Sequence, residues 1–177
     1  MRIASPILAI MLSPLSALAE TAQLDVFVQE AEPLDFVLIR NVEGCGPVTG
    51  ALIVDFRGSI GQVVIDTAFG GLGTQQFAPV EVMIGPVRPL PVADGAQELV
   101  ILIAGLEPGD QGVVTMDLDS EGEAERLGRI EATAAEMAGS RVVFTPEGGE
   151  TSVIANLGTD AATSLTVPAE CTPAELS

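Results

Sequence analysis

The sequence predicts an all-β protein, an antiparallel β-sandwich of about 8–10 short strands in a single domain over residues 20–177. Short apolar runs rich in Val, Ile and Leu recur along the chain, separated by turns rich in glycine and proline. Several runs alternate apolar and polar residues, which is the pattern of a strand with one buried face. The connections between runs are too short for the crossover helices that a parallel sheet requires.

Each predicted strand rests on its own local pattern. Leu24–Gln29 and Gly112–Asp119 alternate, whereas Glu98–Ala104 is apolar on both faces and therefore predicts a strand inside a sheet. Residues 146–150, PEGGE, predict a hairpin between the strands on either side. The predicted strands are Leu24–Gln29, Phe36–Asn41, Ala51–Phe56, Gln62–Thr67, Phe77–Ile84, Glu98–Ala104, Gly112–Asp119, Arg141–Thr145, Thr151–Leu157 and Ser164–Val167.

One short helix is predicted near residues 121–138, directly after the most acidic stretch of the chain. Ser120 and Glu123 have the spacing of a capping box. Apolar residues then recur every three or four positions, as on one side of a helix: Leu127, Ile130, Ala134 and Met137. The helix dipole stabilises acids in the first turn by about 0.3–1 kcal/mol each. The helix therefore explains the later acids of the stretch, but not Asp117 and Asp119.

Asp117 and Asp119, together with Glu121, predict a calcium site. Carboxylates at alternate positions of a strand end point to the same side, and calcium prefers hard oxygen ligands. The stretch matches only the first half of an EF-hand loop, because Gly128 stands where that loop requires a bidentate Glu. Two further candidate ligands lie in the preceding turn: Glu107 and Asp110.

The charge of the chain limits its partners. The formal net charge is −18, all seven basic residues are arginine, and there is no histidine. Such a surface repels nucleic acid and anionic lipid, and attracts divalent cations or cationic partners. Adaptation to a salty habitat explains the acidity equally well, because salt screens self-repulsion beyond a Debye length of about 3–10 Å.

The missing residue types argue against an enzyme. Without histidine or lysine, the familiar zinc sites, Ser-His-Asp triads and Schiff-base lysines are impossible. A hydrolase would have to use paired carboxylates, for which Asp55 and Asp66 on adjacent predicted strands are the best candidates. The simpler interpretation is that both face solvent. The chain also lacks the Trp and Tyr that usually contact sugar rings.

The ends of the sequence predict export. Residues 1–19 have a basic start, an apolar segment and a small-x-small cleavage site, which is the pattern of a signal peptide. No later apolar run reaches the roughly 18 residues of a membrane span. The expected location is therefore the periplasm, the medium or the cell surface. In such a compartment, Cys45 and Cys171 predict a disulfide, and the alternative is two free thiols of low reactivity.

The segment from Phe36 to about Asp119 resembles bacterial exported proteins named after the core of the sponge aggregation factor. The residues that carry the resemblance are RNVEGCGPVTGALIVDFRGS (40–59), GQVVIDTAFGGLG (61–73) and LEPGDQGVVTMDLDSEGE (106–123). The resemblance implies calcium use and adhesion, because the sponge protein acts in calcium-dependent cell adhesion.

The function expected from these observations is that of an exported, non-catalytic binding module for calcium-assisted adhesion at the cell surface or in the matrix. A protein or a surface glycan is the expected partner. Two alternatives stay open. One is a structural or accessory periplasmic domain without a ligand, whose acidity serves solubility. The other, more remote, is a carboxylate-based hydrolase.

Overall fold

Two five-stranded antiparallel sheets pack against each other in the residues that the computed structural model describes, which are 21–31, 33–68, 78–120, 132–149, 151–169 and 171. Sheet A has the strand order β12-β1-β2-β8-β5 and sheet B the order β11-β10-β3-β7-β6, while β4 and β9 form a separate two-stranded ladder. The strands are β1 (Thr21–Gln29), β2 (Asp35–Gly44), β3 (Val48–Asp55), β4 (Val63–Ile65), β5 (Glu81–Ile84), β6 (Val87–Pro89), β7 (Glu98–Leu106), β8 (Gln111–Met116), β9 (Leu118–Ser120), β10 (Arg141–Pro146), β11 (Val153–Asn156) and β12 (Ala162–Pro168). The prediction of an all-β sandwich is confirmed.

The core of the sandwich follows from the alternation in the long strands. In β1, Gln23, Asp25 and Phe27 are partly exposed, while Leu24 and Val26 next to them are fully buried. Leu52 and Val54 of β3 and Phe144 of β10 face them from sheet B and are also fully buried. Each such side chain gains about 1.5–3 kcal/mol by leaving water, so the spacing of apolar residues selects the register of each strand.

The structure contains more strands than predicted, for two reasons. The three-residue strand β6 was missed, because Val87-Arg-Pro89 is too short to show alternation. The predicted strand Gly112–Asp119 is divided at Asp117 into β8, which pairs with β2 and β5, and β9, which pairs with β4. Asp117 therefore marks the point where the chain leaves sheet A.

The described helix, α1 (Ala134–Met137), lies within the predicted helical region but begins later than predicted. Thr133 is its N-cap and forms a capping box with Glu136. Ser120 is instead the last residue of β9, and its hydroxyl donates to Oε1 of Glu136 at 3.1 Å. The other half of the predicted box, Glu123, falls in residues 121–131, which lie outside the described residues.

The predicted disulfide is confirmed. Cys45, in the loop between β2 and β3, is bonded to Cys171, just after β12, across a sequence separation of 126. The first and last strands, β1 and β12, are neighbours in sheet A, with Thr21 opposite Pro168. No helix in the described parts of the chain is long and apolar enough to cross a membrane.

Candidate metal centre

Three aspartates converge beside the β4–β9 ladder: Asp66, Asp117 and Asp119. Each offers a carboxylate oxygen, and these oxygens lie within 4.8 Å of one another. All three residues are buried, with exposed fractions of 2–3%. The group can therefore hold a metal ion inside the protein.

The pairing of β4 with β9 explains why these carboxylates meet. Val64 is opposite Asp119 and Ile65 is opposite Leu118. The backbone N–H of Asp66 donates to the carbonyl of Asp117 at 3.0 Å, so the ladder continues one residue beyond β4. Directly opposed residues share a face, and so do residues two apart in one strand. Asp66, Asp117 and Asp119 consequently lie on one face of the ladder.

Neighbouring carboxylates hold the backbone of the group in place. Asp35, at the start of β2, accepts a hydrogen bond from the backbone N–H of Leu118 at 2.8 Å, between Asp117 and Asp119. Asp94 accepts from the backbone N–H groups of Thr67 and Ala68 at 2.9 and 3.1 Å. Hydrogen bonds to Asp35 and Asp94 therefore hold the backbone next to the three carboxylates in place.

Electrostatics favours a cation in this group. Two carboxylates 4.8 Å apart, when both ionised, repel each other by about 3–4 kcal/mol at an effective dielectric constant of about 20. Three in one buried group multiply this repulsion. A positive charge among the oxygens would replace it by attraction, and a proton on one of them would reduce it.

The structure brings some of the predicted ligands together in the acidic group and leaves others apart. Asp117 and Asp119 belong to the group, whereas Glu121 lies outside the described residues. Glu107 and Asp110 are exposed in the turn before β8, while the group lies after its end. Six strand residues separate the two ends of β8, a distance of about 20 Å. The structure therefore does not bring Glu107 and Asp110 to the group.

Asp66 is the candidate ligand that sequence reasoning did not assign to this group. It was considered only as the partner of Asp55 in a catalytic pair, and the simpler interpretation put both residues in solvent. That interpretation is wrong, because Asp55 and Asp66 are 5% and 2% exposed. The available signal was the run from Gln62 to Asp66, where an apolar strand ends in a carboxylate.

Asp55 belongs to a separate ionic network at the end of β3, the central strand of sheet B. Its carboxylate accepts from Nε of Arg57 at 2.7 Å and from Nη2 of Arg141 at 3.1 Å. Nη2 of Arg57 also reaches Glu98 at 2.8 Å. The acidic group around Asp66 does not include Asp55. The two residues that were considered as a catalytic pair are thus committed to different partners.

Acid should weaken the protein partly through Asp55. The hydrogen bonds from Arg57 lower the pKa of this carboxyl below its ordinary value of 3.8, and Arg141 adds to the effect. A lowered folded-state pKa contributes stability above the unfolded value, and that stability is lost as pH falls through the folded pKa. We expect the Asp55→Asn variant to lose less stability than wild type between about pH 5 and pH 2. The measurement is urea denaturation at each pH, and parallel curves would contradict the prediction.

Comparison of the chain with protein-family models, with curated proteins and with solved structures returned no match. The resemblance to the exported proteins named after the sponge aggregation factor therefore stays a prediction. The chemistry of the site is argued from its own residues, which are three buried aspartates that can hold a metal ion.

Proposed function

We propose that this protein is an exported, non-catalytic binding module whose fold is completed by calcium at Asp66, Asp117 and Asp119, and that it acts in adhesion at the cell surface or in the matrix. The observation that carries the proposal is the convergence of the three buried carboxylates within 4.8 Å. The partner is a protein or a surface glycan, in keeping with the adhesion that the sequence resemblance implies.

The donor set favours calcium over other metals. All three side chains offer carboxylate oxygens, the chain has no histidine, and both cysteines form the disulfide. Zinc and copper prefer the nitrogen and sulfur ligands that are missing. Oxygens bound to one calcium ion are up to about 5 Å apart, twice the calcium–oxygen distance, against about 4 Å for magnesium. The three oxygens lie within 4.8 Å of one another, as oxygens bound to one calcium ion do.

The burial of the group supports binding rather than catalysis. A catalytic carboxylate must contact its substrate, but Asp66, Asp117 and Asp119 expose at most 3% of their surface. A small cation fits such a position because it needs only the oxygens around it. We therefore assign the group a structural role, in which calcium holds the β4–β9 ladder against the sandwich and so shapes the surface that meets the partner.

Calcium should stabilise the protein more than salt alone does. An ion that binds only the folded state raises the free energy of unfolding by about 2.7 kcal/mol at a hundredfold excess over its Kd. The measurement is thermal and urea unfolding in a calcium titration, with sodium chloride at matched ionic strength as the reference. The reference is essential, because screening also stabilises a chain of net charge −18.

Two double variants locate the effect. Asp117→Asn with Asp119→Asn should abolish the response to calcium, because it removes two of the three carboxylates. Glu107→Gln with Asp110→Asn removes the same charge from the exposed turn before β8 and should keep the full response. A calcium response no larger than that of sodium chloride, or equal responses in both variants, would overturn the proposal.

Two further measurements separate the remaining possibilities. Arg126 and Arg129 lie in residues 121–131, outside the described residues. If an arginine rather than calcium supplies the positive charge, the wild type should show no calcium response, and changing both arginines to Gln should destabilise the protein.

Adhesion is tested by retention of labelled protein on intact cells, with and without a calcium chelator. Equal retention would reject calcium-assisted adhesion and favour the accessory-domain alternative.

A further inference from the structure

The outer face of sheet B carries one fully apolar row of side chains and, beside it, a row that is apolar only at its centre. The pairing of the strands sets these rows, because opposed residues share a face. One row crosses four strands with the residues Ile154, Val143, Ile53 and Val100. The next row is formed by Thr145, Ala51, Leu102 and Arg88. Ile154 is 59% exposed and the other apolar members are partly exposed, so the rows are accessible.

The outer face of sheet A is also partly apolar. It has one apolar row in register, formed by Ala162, Phe27, Leu38, Val113 and Ile84. One adjacent row on that face is polar and charged: Ser164, Asp25, Arg40 and Gln111. The row on the other side includes the partly exposed Phe36. Solvated sheet faces commonly carry such polar rows. Both outer faces therefore carry an apolar patch of the kind that marks binding surfaces, and apolar surface alone does not distinguish them.

Charge distinguishes the apolar face of sheet B from the rest of the chain. The described residues include four arginines, and three of them border this face: Arg57, Arg88 and Arg141. Three acids accompany them: Asp55, Glu98 and Glu147. The face is therefore neutral by formal charge in a chain of −18. Two copies repel each other least when these neutral faces meet.

The positions of two charges make the face complementary to itself. Arg88 lies on the edge strand β6 and Glu147 follows β10, on the other side of β3 and β7. Both line one groove together with Ala51 and Leu102. A two-fold axis within the interface and parallel to the strands exchanges the two sides of the groove. It would bring Arg88 of each copy to the row of Thr145 of the other, two residues along the strand from Glu147.

We propose that the apolar face of sheet B binds a second copy of this chain through that two-fold axis. Ile53 of one copy then packs against Val100 of the other, in an aligned packing of two sheets. Four strands and about five residues along each give roughly 300–400 Å² per copy, below the roughly 800 Å² per partner of a typical stable interface. The dimer is therefore weak and reversible. The inference does not depend on calcium.

Sedimentation equilibrium from about 10 µM to 1 mM, in sodium chloride that screens the net charge, measures the association. Wild type should form a reversible dimer in this range. Ile53→Glu should weaken the association at least tenfold. Leu38→Glu is the matched control, because Leu38 is also a partly exposed residue on the outer face of a central strand. It should leave the association unchanged.

Charge reversal tests the proposed geometry with exposed residues, whose substitution spares the core. Arg88→Glu and Glu147→Arg should each weaken the dimer, since each brings like charges near one another. The double variant should restore the wild-type association, because each pair again joins an acid and an arginine, with their positions exchanged. A wild type that stays monomeric at 1 mM, a double variant as weak as the single ones, or a control as damaging as Ile53→Glu would each overturn the proposal.

Discussion

Removing the Cys45–Cys171 disulfide is expected to lower the free energy of unfolding by as much as about 5 kcal/mol on the chain-entropy model. The bond spans 126 residues of sequence, and the restriction that a cross-link places on the unfolded chain grows with the length of the closed loop. It also joins the β2–β3 loop to the chain after β12. The measurement is urea denaturation of the oxidised protein and of a variant with Cys45→Ser and Cys171→Ser.

The serine variant supplies its own control, because reductant should not change its unfolding midpoint. Alkylation of the unreduced wild-type protein, followed by intact-mass measurement, should modify neither cysteine. Two alkylated cysteines in the unreduced protein, or identical midpoints for the oxidised protein and the variant, would contradict the prediction.

Replacing Phe144 in the core by Ala is expected to lower the free energy of unfolding by about 3–5 kcal/mol. Phe144 is fully buried in β10, and its ring lies so close to Gly50 that a side chain at position 50 would collide with it. Phe144→Ala would remove the ring from this tight packing and leave a cavity between the sheets. Urea denaturation gives the change in the free energy of unfolding.

Phe36 offers a matched control for the cavity. It lies in the central strand β2 of sheet A and is partly exposed on its outer face. Phe36→Ala removes the same atoms without a cavity between the sheets, so its cost should be clearly smaller. Equal costs for Phe36→Ala and Phe144→Ala would show that the two rings do not differ in packing as the structure indicates.

Most of the fold was predictable because strand patterns are local. Alternation located β1 and β8 within a few residues, and the apolar run Glu98–Ala104 correctly indicated a strand inside a sheet. The break at Asp117 was not predictable, since a strand that changes partners keeps the same alternation. Partner choice depends on residues distant in sequence, and Glu98–Ala104 shows the consequence: its second apolar face is accessible rather than covered.

The candidate site was predictable only in part for the same reason. Asp117 and Asp119 are two positions apart, so their common side follows from strand geometry alone. Asp66 joins them only because β4 pairs with β9 in one particular register. Glu107 was close in sequence but lies at the other end of β8. Proximity in sequence was thus a poor guide once a strand separated the residues.

The disulfide also determines how the protein would carry a mechanical load. A force that pulls on residue 21 and on Cys171 passes through β1 and β2 to Cys45, and then crosses directly to Cys171. Everything between the two cysteines is outside this path. Before the covalent link becomes taut, about 25 residues can extend, which is roughly 80–90 Å. Without the bond, about 150 residues could be drawn out to roughly 500 Å. In the oxidised protein, the force therefore acts along β1 and β2, and the strands between the two cysteines, β3 to β12, lie outside its covalent path.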